Sequence, residues 1–212
     1  MDISPQMIEA TRRAAVEGDL DSIELFVMDA GAPELPNGRY DIAVASLELF
    51  FLPDPPGALR AWCGLLAPDG RLGLSTFAAR DPEWEDLDDV FTDYLPPTLL
   101  DARTSGGRGP FASDDGVVGL LTGCGFVDVV TECRDLPVHF TGVAQWREWT
   151  WSHGQRSHWL AVPEERRGAV LADAAARLGP ILGQDGGFTL TQCVRYTTAR
   201  RPPATLASVS AG

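Results

Sequence analysis

The chain has 212 residues, 44% of them hydrophobic and 22% charged, which suits a globular domain with room for a substantial core. Its net charge is −13 and its pI about 4.5; lysine is absent and the arginines are scattered, so nucleic acid and anionic membrane surfaces are excluded as expected partners. Cys63, Cys124, Cys133 and Cys193 lie far apart with no CxxC, which reads as reduced thiols rather than disulfides or a zinc site, and no apolar run reaches membrane-spanning length; the chain is expected to be cytoplasmic.

In chain order, Ser4 and Pro5 read as the N-cap and first residue of a helix over 4–17, ended by Gly18, with Met7, Ile8, Thr11 and Ala15 recurring at helical spacing. The apolar run IELFVM at 23–28 predicts a buried strand ending at Asp29, and DIAVASL at 41–47 a second. Asp54 and Pro55 open a helix through Leu59, Trp62, Leu65 and Leu66; Pro68-Asp69-Gly70 is a turn, and RLGLSTF at 71–77 a third strand. The acidic stretch 81–95 is expected to be helical, 101–110 a loop, and Ser113-Asp114-Asp115 the cap of a helix through Leu121. FVDVVTE is a strand; Thr141 caps a helix carrying Trp146 and Trp149; 163–182 is an amphipathic helix, and 188–200 a last strand. Alternating short helices and strands signal a parallel sheet with covering helices.

Three segments in order carry a family resemblance: DISPQM at 2–7, VMDAGAPELPNGRYDIAVAS at 27–46, and FLPDPPGALRAWCGLLAPDGRLGLSTF at 51–77. The chain resembles a class I S-adenosylmethionine (SAM)-dependent methyltransferase of the ubiquinone/menaquinone-biosynthesis type over roughly residues 1–135, with LLTGCGFVDVV and the strand at 188–198 also fitting. The resemblance implies an α/β, Rossmann-like doubly wound fold with a mostly parallel sheet, and SAM as cofactor. It places Asp2 at the acid that accepts from the ribose hydroxyls, Ile3 and Met7 beside the adenine, and Asp29 and the Ala30 N–H on the adenine edge. Ser46 and Leu47, at the end of a strand, fall where the methionine half would be held.

Plainer readings exist for these residues. An acid beside a helix N-terminus is favourable for dipole reasons alone, and Asp29 could be a turn residue; Asp41 and Asp54 read as structural. The family's fold begins with a strand, a glycine-rich loop, a helix and a second strand ending at the ribose acid. None of these lies ahead of Asp2, and GGRGP at 106–110 does not replace the loop. The expectation is therefore an N-terminally incomplete fold, with an exposed edge on the strand at 41–47 and the activity left open by the absent glycine-rich loop.

The acceptor side is expected from 80–112 and 138–165. QWREWTWSHGQRSHW, at 145–159, holds four tryptophans and two histidines. Trp146 and Trp149 could line a pocket for a flat or lipophilic acceptor, or pack in the core. His153 is the candidate general base by type, with a helix-end role as its alternative; His139 and His158 rank below it. One methyltransferase-like domain over 1–198 is expected, with 138–185 as a substrate or lid region and 199–212 a disordered tail. The expected activity is methyl transfer to a small-molecule acceptor, natural-product or quinone-like. The alternatives are a methyltransferase fold without methyl transfer (cyclase-like or a degenerate binding protein) and an NAD-dependent dehydrogenase. No metal is expected, and oligomeric state is open.

Overall fold

The computed structural model describes residues 1–80, 82–97, 109–152 and 154–204. Helix α1 (Pro5–Glu17) starts where its cap chemistry dictates: Met7 N–H donates to the Ser4 hydroxyl at 3.3 Å, and Pro5 occupies the first turn, where its missing N–H costs nothing. It buries Ile8 and Ala15, two turns apart, and leaves Met7 in solvent. Asp54 does the same for α2 (Pro55–Leu65), accepting from Gly57 N–H at 2.9 Å; Ala58, Leu59, Trp62 and Leu65 form its buried stripe.

Strand β1 (Tyr40–Ser46) pairs in parallel with β2 (Leu66–Arg80), in register from Ile42↔Arg71 to Ser46↔Ser75. Tyr40 faces Leu66 instead, so the expected turn at Pro68-Asp69-Gly70 is an irregularity inside one long strand rather than a boundary before it. Gly70 is required there because a Cβ would sit 2.8 Å from the Ala67 carbonyl oxygen. Helix α3 (Pro82–Asp88) continues as a 3₁₀ stretch, Asp89–Tyr94, and α4 (Asp114–Gly123) leads into β3 (Val127–Phe140). Then follow α5 (Val143–Ser152), α6 (Arg156–Ala161), α7 (Arg167–Leu178) and β4 (Phe188–Arg200). The sheet order is β1-β2-β4-β3.

The predicted strand at 23–28 is corrected to a single parallel bridge, Asp2↔Val27. Asp2 N–H donates to Phe26 C=O at 3.2 Å and its C=O accepts from Met28 N–H at 3.0 Å. A run of six apolar-rich residues with one paired position cannot propagate as a strand, because each further residue needs a ladder partner. The predicted helix at 163–182 is likewise divided: 3₁₀ turns at Glu164–Arg166 and Gly179–Ile181 flank α7. Of the predicted loop at 101–110, residues 101–108 lie outside those described, as do 205–212 of the predicted tail; Ala199 and Arg200 belong to β4.

The chain divides into two compact units. The first is Met1–Thr76, Asp114–Thr131 and Tyr196–Gly212; the second is Phe77–Ser113 and Glu132–Arg195. The first buries Leu49, Leu59, Trp62, Leu72, Leu121 and Phe126. The second holds an aromatic core: Phe91, Trp146 and Trp159 are buried together, with Trp84, Phe140 and Phe188 beside them. Region 138–185 lies within the second unit.

Candidate functional site

The first unit carries a cleft of about 250 Å³ along β1. Met1, Ala30, Tyr40, Ile42 to Ala45, Glu48 and Trp62 are among its lining residues. Its floor is fixed from below by Trp62, whose indole N–H donates to the Ala30 carbonyl at 2.7 Å and so pins the 29–31 turn onto α2. Asp29 holds the same turn from its other side, accepting from Gly31 N–H at 2.8 Å. One wall is the apolar face of β1, where Ile42 and Val44 stay 65% and 76% exposed. Exposed β-branched side chains on adjacent same-face positions of one strand are characteristic of a surface that meets something else.

At the carboxyl end of β1 the backbone is held in an uncommon conformation. Leu47 has φ = 52°, the left-handed region that a side chain resists. Its N–H is fixed by Ser75, donating to the hydroxyl and to the carbonyl, both at 3.0 Å, and Ser46 and Ser75 share a hydroxyl contact of 3.0 Å. This is the end of a parallel strand pair, where open α/β sheets place their ligands.

Negative charge converges on the same end. Burial raises the half-buried Glu48 carboxyl above its ordinary range, and Asp2 and then Asp29 raise it further, against the pull of the Met1 ammonium. The strand end is thus a place where anions repel one another and a cation would relieve them.

The structure brings Asp2, Asp29 and Ala30 toward this strand end, with Ser46 and Leu47 on it. Asp2 is half-buried with one carboxylate oxygen accepting from Ser4 N–H at 2.7 Å. Ile3 and Met7, expected beside an adenine ring, are 72% and 55% exposed. The sequence reading missed Glu48, Trp62 and Ser75. Glu48 was findable as the acid directly after the predicted strand end. The other two act through hydrogen bonds that only the fold creates.

In the second unit Trp146 is 1% exposed, stacked on Phe91 at 6.4 Å and edge-on to Trp159 at 6.0 Å, so it serves the core. Trp149 is 39% exposed and packs by one side on Trp84 and Phe140, each at 5.5 Å. His153 lies outside the described residues. His158 is buried against Phe91, and His139 Nδ1 sits 3.1 Å from the Thr189 hydroxyl. Arg195, unremarked in the sequence, is buried and donates to the Phe77 and Phe111 carbonyls at 3.3 and 3.0 Å. No group of His, Cys, Asp or Glu among the described residues could hold a metal ion, and no described helix is long and apolar enough to cross a membrane.

Residues 1–74 match the family profile described as a methyltransferase domain. Nocamycin O-methyltransferase of Saccharothrix syringae is 31% identical over 215 aligned positions, covering 96% of this chain and 76% of that protein. Aklanonic acid methyltransferase of Streptomyces sp. strain C5 is 37% identical over 48% of this chain and 46% of its own length. Among solved structures, the YcgJ protein of Bacillus subtilis aligns with a TM-score of 0.59 at 15% identity, over 94% of this chain and 80% of that one, which shows a shared fold. The chain belongs to the class I SAM-dependent methyltransferases.

Proposed function

We propose that this chain holds SAM against the carboxyl end of β1 and transfers its methyl group to oxygen on a small natural-product acceptor. The observation that supports the cofactor placement most directly is the gathering of Glu48, Asp2 and Asp29 at one strand end, where burial first and then the neighbouring carboxylates raise the Glu48 carboxyl. SAM supplies an electrophilic methyl group on a sulfonium, and it carries an ammonium group and ribose hydroxyls that carboxylates can bind. The residues present fit it: three acids for cationic and hydroxyl groups, and an apolar wall from Ile42 and Val44.

In this reading Asp2 accepts from the ribose, while Asp29 and the Ala30 N–H read the adenine edge, with Ile3 and Met7 lying along the ring. Ser46 and Leu47 face the methionine half. The Trp62–Ala30 and Ser75–Leu47 hydrogen bonds hold these backbone segments before the ligand arrives, so less ordering remains to be done on binding. Glu48 makes the field at the strand end negative, which favours a cation there.

The acceptor side is proposed to come from residues 138–165. Trp149, half in solvent and braced by Trp84 and Phe140, offers an indole face to a flat ring. His153 is the proposed general base for an acceptor hydroxyl. An acceptor already ionised at neutral pH would not need that base. The name of the nocamycin relative supports oxygen as the methylated atom, and that of the second supports an acid as the acceptor. The test is incubation of the chain with SAM and a panel of natural-product acids and enols, aklanonic acid included, with products read by mass spectrometry. One added methyl on oxygen is expected. Methylation confined to nitrogen or carbon acceptors would reject the oxygen assignment, and absence of transfer across the panel would reject the activity.

A further inference from the structure

Two side-chain contacts fix how β3 runs against β4. The Thr131 and Thr197 hydroxyls are 3.1 Å apart, and His139 Nδ1 lies 3.1 Å from the Thr189 hydroxyl. Moving eight residues forward on one strand moves eight back on the other, so the pair is antiparallel and these positions share one face of the sheet. The same register sets Asp135 opposite Cys193 and Cys133 opposite Arg195. Cys133 and Cys193 are therefore diagonal neighbours on that face, and all three groups belong to the second unit. The Cys193 thiol has both the Cys133 sulfur and the Asp135 carboxylate within hydrogen-bonding reach. Cys133 is exposed and Cys193 half-buried.

We propose that Cys133 is a site of oxidative modification by peroxide and that Cys193 resolves it, closing a reversible disulfide across β3 and β4. The Cys133 thiolate attacks the peroxide oxygen, the O–O bond breaks, and hydroxide leaves, giving a sulfenic acid. The Cys193 sulfur then attacks the Cys133 sulfur. An S–S bond forms, the S–O bond breaks, and the hydroxyl leaves as water. The proton lost by Cys193 passes by way of Asp135 to the departing hydroxyl and completes that water. Overall two thiols lose two electrons and two protons, and one peroxide becomes two waters.

The roles are unequal for a physical reason. Burial, the Asp135 carboxylate and the Cys133 sulfur push the Cys193 thiol up to about 11, so it stays protonated at neutral pH while the exposed sulfur meets the oxidant. Diagonal cross-strand positions are wider apart than a disulfide prefers, and β3 must shift slightly to close one. It is an outermost strand of the sheet, with Glu132 to Pro137 all exposed, and has room to do so. The other two thiols differ. Cys63 and Cys124 each point at a backbone carbonyl, of Gly125 and Pro56, and Cys124 is buried.

The experiment treats the full chain with hydrogen peroxide, blocks remaining thiols, and maps cross-linked peptides by mass spectrometry. The expected result is loss of two of the four thiols, a Cys133–Cys193 peptide within one molecule, and full recovery with dithiothreitol. Cys193→Ser should leave Cys133 as a trapped sulfenic or sulfinic acid, detected with a dimedone probe, and Cys133→Ser should leave Cys193 unoxidised. Both variants are checked for native circular dichroism. A bridge between Cys63 and Cys124, bridges only between molecules, or oxidation of Cys193 in Cys133→Ser would each overturn the proposal.

Discussion

The two units solve opposite problems. The second buries its large side chains: Phe91 and Trp159 are fully enclosed, and Trp159 even satisfies its indole N–H, donating to the Thr150 hydroxyl at 2.9 Å. The first leaves Ile3, Val27, Ile42 and Val44 in solvent around an acidic strand end. An aromatic core stabilises the unit that contains it; exposed apolar residues beside crowded carboxylates stabilise nothing until a ligand or partner covers them. The contrast sets an aromatic packing core apart from the region proposed to hold the cofactor.

The largest effect should come from the packed side. Trp159→Ala removes a buried ring and one hydrogen bond and should cost about 3–5 kcal/mol in chemical denaturation. A cost near that of an exposed substitution would mean the aromatic cluster is not a core. Next is binding: Asp29→Asn should weaken SAM by roughly tenfold or more, as expected for a hydrogen bond to a charged acceptor, while melting changes little. Trp62→Phe links the two behaviours. It orphans the buried Ala30 carbonyl, so about 1–3 kcal/mol of stability should be lost together with several-fold of SAM affinity. Stability lost without affinity would show that the turn need not be pre-set.

Glu48 gives a pH signature. Its folded carboxyl is raised, so its favourable contribution is full below the ordinary carboxyl range and is lost as pH rises through the raised value. Glu48→Gln removes that loss: wild type and variant should have similar stability trends in acid, with the variant gaining relative to wild type toward neutral pH. Because a bound cation favours ionised Glu48, wild-type SAM affinity should climb over the same window and the variant's should not. The smallest effect is expected at Val44→Thr, within about 0.5 kcal/mol in denaturation, since the side chain is already in water.

Most of the local structure was legible because caps and apolar spacing are local signals. Ser4-Pro5 and Asp54-Pro55 start their helices as read, and the strand 188–200 has the predicted bounds. Periodicity failed at IELFVM, where whether a strand forms depends on a neighbour that the run itself does not reveal. It also could not separate Trp146 from Trp149. Both are apolar residues three apart on one helix, yet one is enclosed and the other 39% exposed. The candidate cofactor residues were read from motif order, whereas Trp62 and Ser75 act through contacts spanning 32 and 28 residues, beyond any window of sequence.

The most direct measurement is calorimetric titration of SAM into this chain and into the double variant Asp2→Asn, Asp29→Asn. The account predicts saturable one-site binding by the wild type and affinity reduced at least about tenfold in the variant, with the fold unchanged by circular dichroism. No binding by the wild type, or equal affinity in both, would contradict the placement of the cofactor at the acidic end of β1.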